Sequence, residues 1–127
     1  METCKFSINS ITCDKEKDAK GNAEIWLLAQ LDGEEAKRYP VEPKKTFSLS
    51  EGKTWDINGD LTFEFSRSCN LTIYELDFDI DISATDYMGN ALFLTTDPTS
   101  GTKIATNGSN SSDNEYSKFT ISYTRIY

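Results

Sequence analysis

Near the end of the chain Phe119, Ile121 and Tyr123 alternate with Thr120, Ser122 and Thr124, and the same two-residue period recurs along its length. "CKFSINSI" sets Phe6 and Ile8 against Lys5, Ser7 and Asn9. "EIWLLAQL" puts Ile25, Leu27, Ala29 and Leu31 on one side and Trp26 and Leu28 on the other, and "DLTFEF" alternates through Leu61, Phe63 and Phe65. "NLTIYEL", "ALFLTT" and "KFTISYTRIY" continue the pattern. Successive side chains of a strand point to opposite faces, so this period predicts half-buried strands. No segment sustains a helical period; "DKEKDAKGN" offers at most one helical turn closed by Gly21. Turn-rich pieces ("LDGEE", "SEGK", "INGD", "DPTSG" and the polar "TNGSNSSDNE") separate the runs. The expectation is an all-β protein, an eight-stranded antiparallel β-sandwich. A length of 127 residues suits one domain over 1–127 with a real core.

Composition removes several functions. The net charge is −8, from 21 acidic and 13 basic residues, and there is no basic stripe with interleaved aromatics. That field disfavours nucleic acid, and a bare anionic surface would repel the molecule unless a cation were captured locally. The chain has no histidine. Ser–His and Cys–His nucleophiles, imidazole zinc sites and the usual neutral-pH acid–base group are therefore absent. With no glycine-rich phosphate loop either, an enzyme is not expected. Cys4, Cys13 and Cys69 lack metal-type spacing and read as reduced, partly buried thiols. Sequons at Asn70, Asn107 and Asn110 carry little weight. "METCKFSINS" lacks a secretory core and no apolar run could span a bilayer, so the chain reads as cytoplasmic.

The stretch "ELDFDIDISATDYMG" is anomalous. Glu75, Asp77, Asp79 and Asp81 alternate with Leu76, Phe78, Ile80 and Ile82, which in an extended chain gathers like charges on one face. One reading is a solvated acidic edge strand whose charges discourage further pairing. A helix-loop-helix calcium loop fails, because its sixth and twelfth positions would be Ile82 and Met88 instead of glycine and glutamate. A third reading is a calcium site assembled from several loops at one end of the sandwich. Such a site needs a second acidic segment, and "DAKGNAE", Asp18 to Glu24, runs directly into the strand "IWLLAQL".

In these two segments the sequence resembles the C2 domain, the calcium-dependent phospholipid-binding β-sandwich with Greek-key connections. Asp18, Gly21 and Glu24 match that family's first calcium loop, Glu24 standing for the usual aspartate. Asp77, Asp79 and Asp86, with Tyr87-Met88-Gly89, match its third loop, about one residue longer than usual between Asp79 and Asp86. Trp55 followed by "LTFEF" resembles its Trp and Phe-x-Phe strand. A first loop placed directly after the first strand, with "KFTISYTRIY" last, resembles the circularly permuted, type II topology.

The resemblance implies calcium as cofactor, held by Asp18, Glu24, Asp77, Asp79 and Asp86, with Asp81 as a possible additional ligand. Two unit charges about 4 Å apart repel by roughly 1 kcal/mol even at the dielectric of water, so five carboxylates call for a counter-cation. Calcium would reverse the local charge and offer coordination positions to the phosphates of anionic phospholipid membranes, giving reversible peripheral association. Ile80 and Ile82 would then enter the acyl–headgroup boundary, or else pack beneath the loop. Lys15, Lys17 and Lys20 would meet headgroups, or else simply balance an acidic protein. Lys44, Lys45 and Lys53 form a weaker basic patch, and Trp26 and Trp55 read as core or rim residues. The alternative function is a C2-like protein-interaction or adhesion module, with a protein partner and calcium structural or absent.

Overall fold

The computed structural model describes residues 2–16, 23–76, 85–108 and 116–127, with 85 and 86 described by backbone alone. Among these, the alternating runs form strands β1 (Cys4–Lys15), β2 (Ala23–Leu31), β3 (Glu35–Tyr39), β4 (Phe47–Leu49) and β5 (Thr54–Phe65). They continue as β6 (Ser68–Leu76), β7 (Thr85–Leu94), β8 (Ser100–Thr106) and β9 (Lys118–Arg125). One antiparallel sheet orders β5-β1-β9-β8 and the other β3-β2-β6-β7, with β4 also on β2. "KFTISYTRIY" forms the last strand, as expected, and it pairs with the first, Ile11 opposite Ile121.

Among the described residues there are nine strands instead of the expected eight, because one edge strand is broken. β3 pairs residues 27–31 of β2 and β4 pairs residues 23–25, both antiparallel, so the two continue one line interrupted by residues 40–46. Arg38 pins that interruption. Its guanidinium donates to the carbonyls of Pro40, Glu42 (2.8 Å) and Lys45 (2.9 Å) while lying 4.7 Å over the Trp26 ring. These are charge-assisted bonds, stronger than neutral ones.

"INGD" is not a turn between strands; it lies inside β5. Asn58 and Gly59 do take the left-handed φ values of a turn, 53° and 85°. The segments on both sides, however, pair with the same neighbour, Ile8 with Leu61 and Ser10 with Asp56. One residue of β1, Asn9, thus stands against residues 57–60 of β5, a special bulge of four residues against one that interrupts the pairing without reversing the strand.

The inward stripes fill the space between the sheets. Phe6, Phe63, Phe65, Phe93 and Tyr123 form an aromatic cluster with centroids 5.3–6.2 Å apart. Toward the other end the core passes to Ile11, Ile25, Leu49 and Phe119. Each such side chain, fully buried, contributes about 1.5–3 kcal/mol. Trp55 is buried, while Trp26 lies half-buried on the outer face against Tyr74, 4.7 Å away. All three cysteines are free and buried.

Candidate metal centre at one end of the sandwich

Four strand ends carry the two acidic segments, and they lie at one end of the sandwich. β1 finishes there, with Lys15 paired to Lys118 at the start of β9. β2 starts there, and Ile25 pairs with Glu75 near the end of β6. Glu75 pairs in turn with Asp86, and Leu76 with Thr85, at the opening of β7. The turn after β4 joins the same end, since Gly52 donates its N–H to the Cys13 carbonyl at 2.7 Å.

The predicted site residues divide sharply. Lys17, Asp18, Lys20, Asp77, Asp79, Ile80, Asp81 and Ile82 lie outside the described residues. Asp86 is placed by its backbone, opposite Glu75. Glu24 is half-buried, and its Oε2 accepts a hydrogen bond of 3.0 Å from the Thr46 hydroxyl. Lys15 extends its ammonium over the Tyr116 ring, 5.2 Å from the centroid, a cation–π contact within the chain.

Sequence reasoning passed over three further carboxylates at this end. Glu51 accepts the backbone N–H of Glu16 at 3.0 Å, and Asp14 accepts the Thr120 hydroxyl. Glu16 itself is buried, at 5% exposure. Their combined field registers at Cys13: burial first, then the charges of Glu16, Glu51 and Asp14, push its thiol up to about 12. The signal for Asp14 and Glu16 was their position at the very end of the first strand, just before the acidic segment. Glu51 had no signal, because its turn reaches this end only through the broken edge strand.

Among the described residues, no three His, Cys, Asp or Glu side chains cluster closely enough to hold a metal ion. Of the five candidate ligands, only the Glu24 side chain lies among those residues. The chemistry of the set fits calcium, which takes 6–8 oxygen ligands in flexible geometry, and it offers none of the nitrogen or sulfur donors that favour zinc.

The opposite end also carries an aspartate, with a different task. Asp32 sits in the β2–β3 turn at φ 53° and accepts backbone N–H groups from Ser66 (3.0 Å), Arg67 (2.6 Å) and Ser68 (3.2 Å). The Ser66 bond leads the causes that hold its carboxyl below the usual range. It clamps two turns together and is a structural residue.

Glycine at the end of "DYMG" has a physical reason. Gly89 adopts φ +138°, and a Cβ there would meet the Thr106 backbone nitrogen at 2.5 Å. This position lets β7 close against β8 across the edge of the sandwich, beside a bulge between Ile73 and Tyr74.

No family model and no curated protein matches the sequence. Solved structures do. A C2 domain of plant extended synaptotagmin 1 is 14% identical with a TM-score of 0.52, covering 98% of this chain and 95% of that domain. Human GIVD cytosolic phospholipase A2 is 16% identical with a TM-score of 0.54, covering 97% of this chain. The same enzyme in complex with methyl gamma-linolenyl fluorophosphonate inhibitor and terbium chloride matches at 14% identity and a TM-score of 0.53. The chain spans only 16–17% of the length of these phospholipases. Among the described residues the class is thus a two-sheet antiparallel sandwich, with the strand ends that flank its acidic segments at one end. The particular fold is that of the C2 domain.

Proposed function

We propose that this chain is a calcium-binding C2 module that docks on anionic phospholipid membranes through loops at one end of its sandwich. The observation that carries the reading is that four strand ends, those of β1, β2, β6 and β7, lie at one end of the sandwich, and in the sequence Asp18, Glu24, Asp77, Asp79 and Asp86 fall in or beside the connections between them. Charges of one sign, concentrated where backbone connections meet, suit a hard cation. Asp14, Glu16 and Glu51 deepen the negative field at that end. The fold likeness adds support, since one matched structure is a phospholipase complex containing terbium chloride. Among the described residues no helix is long and apolar enough to cross a membrane.

Bound calcium would supply local charge reversal and coordination positions for phosphate oxygens. The chain's own task is to hold the carboxylates at neighbouring strand ends. Co-sedimentation with phosphatidylserine vesicles tests the reading: calcium-dependent pelleting that a chelator abolishes is expected. Equal pelleting with and without calcium, or none in either, would contradict it.

One observation favours a second reading, a protein-interaction module. The outer face of β2, β6 and β7 bears Trp26, Leu28, Tyr74, Tyr87, Leu92 and Leu94, and Tyr87, Leu92 and Leu94 are 47%, 49% and 39% exposed. In a chain of net charge −8 this face is conspicuously apolar. No vesicle binding, together with loss of partner capture in a Leu92→Lys/Leu94→Lys variant, would select that reading.

A further inference from the structure

The two backbone irregularities of the fold, from opposite sheets, meet at one cleft. The interruption of the edge strand contributes Pro40, Val41 and Glu42 as one wall, and the bulge in β5 contributes Asp60 as the other. The cleft has a volume of about 440 Å³. Its floor consists of three aromatic rings from three strands. Phe47 stacks on Trp55 at 4.6 Å with planes 5° apart, and Tyr39 stacks on the same indole at 5.5 Å and 25°.

The charge of the cleft matches the floor. Among the described residues Asp60 has no hydrogen-bond or ion-pair partner, and it is exposed within the bulge. Its negative charge reaches the floor: burial first, then Asp60, holds the Tyr39 hydroxyl above its usual range. Glu42 adds a second carboxylate, with Lys45 3.9 Å away as a loose rim partner. Carboxylates over stacked π faces attract a cation that also has apolar surface to bury, and small inorganic ions lack that surface.

We propose that this cleft is a binding site for a small alkylated ammonium ion of the choline type, seated on the half-buried rings of Tyr39 and Phe47, which stack on the buried Trp55 indole, with Asp60 as its counter-charge. The site is independent of the calcium reading, because none of its lining residues belongs to the candidate ligand set. The bulge explains why an Asn58-Gly59 pair sits mid-strand, since it turns Asp60 to the cleft. Arg38, bonded to three carbonyls of residues 40–46, holds the opposite wall in place.

The test titrates the full chain with choline chloride in the presence of a chelator, following indole fluorescence and the side-chain NMR shifts of Tyr39, Phe47 and Trp55. The control ligand is the neutral carbon isostere of choline, with tert-butyl in place of trimethylammonium. Saturable choline binding with shifts at those rings is expected. The isostere and the Asp60→Asn variant should each bind about tenfold more weakly, a loss of roughly 1.4 kcal/mol. Asp60 is exposed, so that variant should fold; Lys45→Ala, which removes the competing cation, should tighten binding. Isostere affinity equal to that of choline, or an Asp60→Asn variant indistinguishable from the parent, would overturn the proposal. Phosphatidylcholine vesicles form a further arm. Competition by vesicles marks the headgroup as the source of the ion, and choline binding without competition marks the free ion.

Discussion

Replacing Gly89 by alanine should destabilise the domain through two costs that the geometry separates. At φ +138° an L-residue occupies a sparsely populated backbone region, costing about 1–3 kcal/mol. The new Cβ would also lie 2.5 Å from the Thr106 nitrogen, 2.8 Å from the Ala105 carbonyl carbon and 2.9 Å from the Thr106 Cα. These are backbone atoms and cannot rotate aside, so β7 and β8 must part, at a further cost of about 1–3 kcal/mol. The sum, about 2–6 kcal/mol, is a large share of the 5–15 kcal/mol typical of a whole domain. A mid-range loss should lower Tm by about 10 °C or more. Denaturant unfolding followed by circular dichroism and tryptophan fluorescence would measure it, with coincident transitions securing the two-state treatment. A loss below about 0.5 kcal/mol, the size of an ordinary surface change, would refute the close-approach argument.

Two further predictions concern titration and thiol chemistry. Asp32 has its carboxyl lowered in the folded protein, so its contribution is present above the unfolded value near pH 4 and fades as pH falls through the lower folded value. Parent and Asp32→Asn stabilities should therefore differ at neutral pH and converge in acid; a gap that widens below pH 4 or so would reverse the assignment. Cys13 and Cys69, both pushed up to about 12 chiefly by burial, carry almost no thiolate near neutrality. Neither should react with a thiol-specific chromogenic reagent until denaturant is added, and rapid modification of the native protein would count against their burial.

Much of the sandwich was legible from alternation, and the exceptions have identifiable causes. β1, β6 and β9 read directly because one face is apolar and the other mostly polar, and β2 because its run from Ile25 to Ala29 is apolar on both faces. β3, "EAKRY", is a charged edge strand whose pairing to β2 leaves little on its own residues to announce it. β4 spans three residues, too few for any period. β8 turns Ile104 outward at 49% exposure and hides Ala105, inverting the cue that hydropathy gives. "INGD" carries the turn chemistry of a hairpin, yet flanking pairs with the same neighbour convert it to a bulge, which no local rule foresees.

The candidate segments stood out in the sequence for a different reason. Carboxylates repeated at alternate positions over residues 75–81 are costly in a strand, and a second acidic segment, Asp18 to Glu24, made a shared counter-ion the expectation. The fold then brings the flanking strand ends to one pole, a long-range fact that spacing alone does not contain. The partnership of Glu24 with Thr46 was invisible, because it depends on the interruption at residues 40–46 that carries Thr46 beside β2. The aromatic cleft escaped notice for the same reason. Tyr39, Phe47, Trp55 and Asp60 come from β3, β4 and β5 and share no motif.

Isothermal titration of the metal-free chain with calcium, alongside an Asp77→Asn/Asp79→Asn variant, confronts the main proposal most directly. Saturable heat is expected for the parent and should be abolished or greatly weakened in the variant, with both proteins equally folded by circular dichroism. Matching heats from the two proteins, or no heat from either, would contradict it.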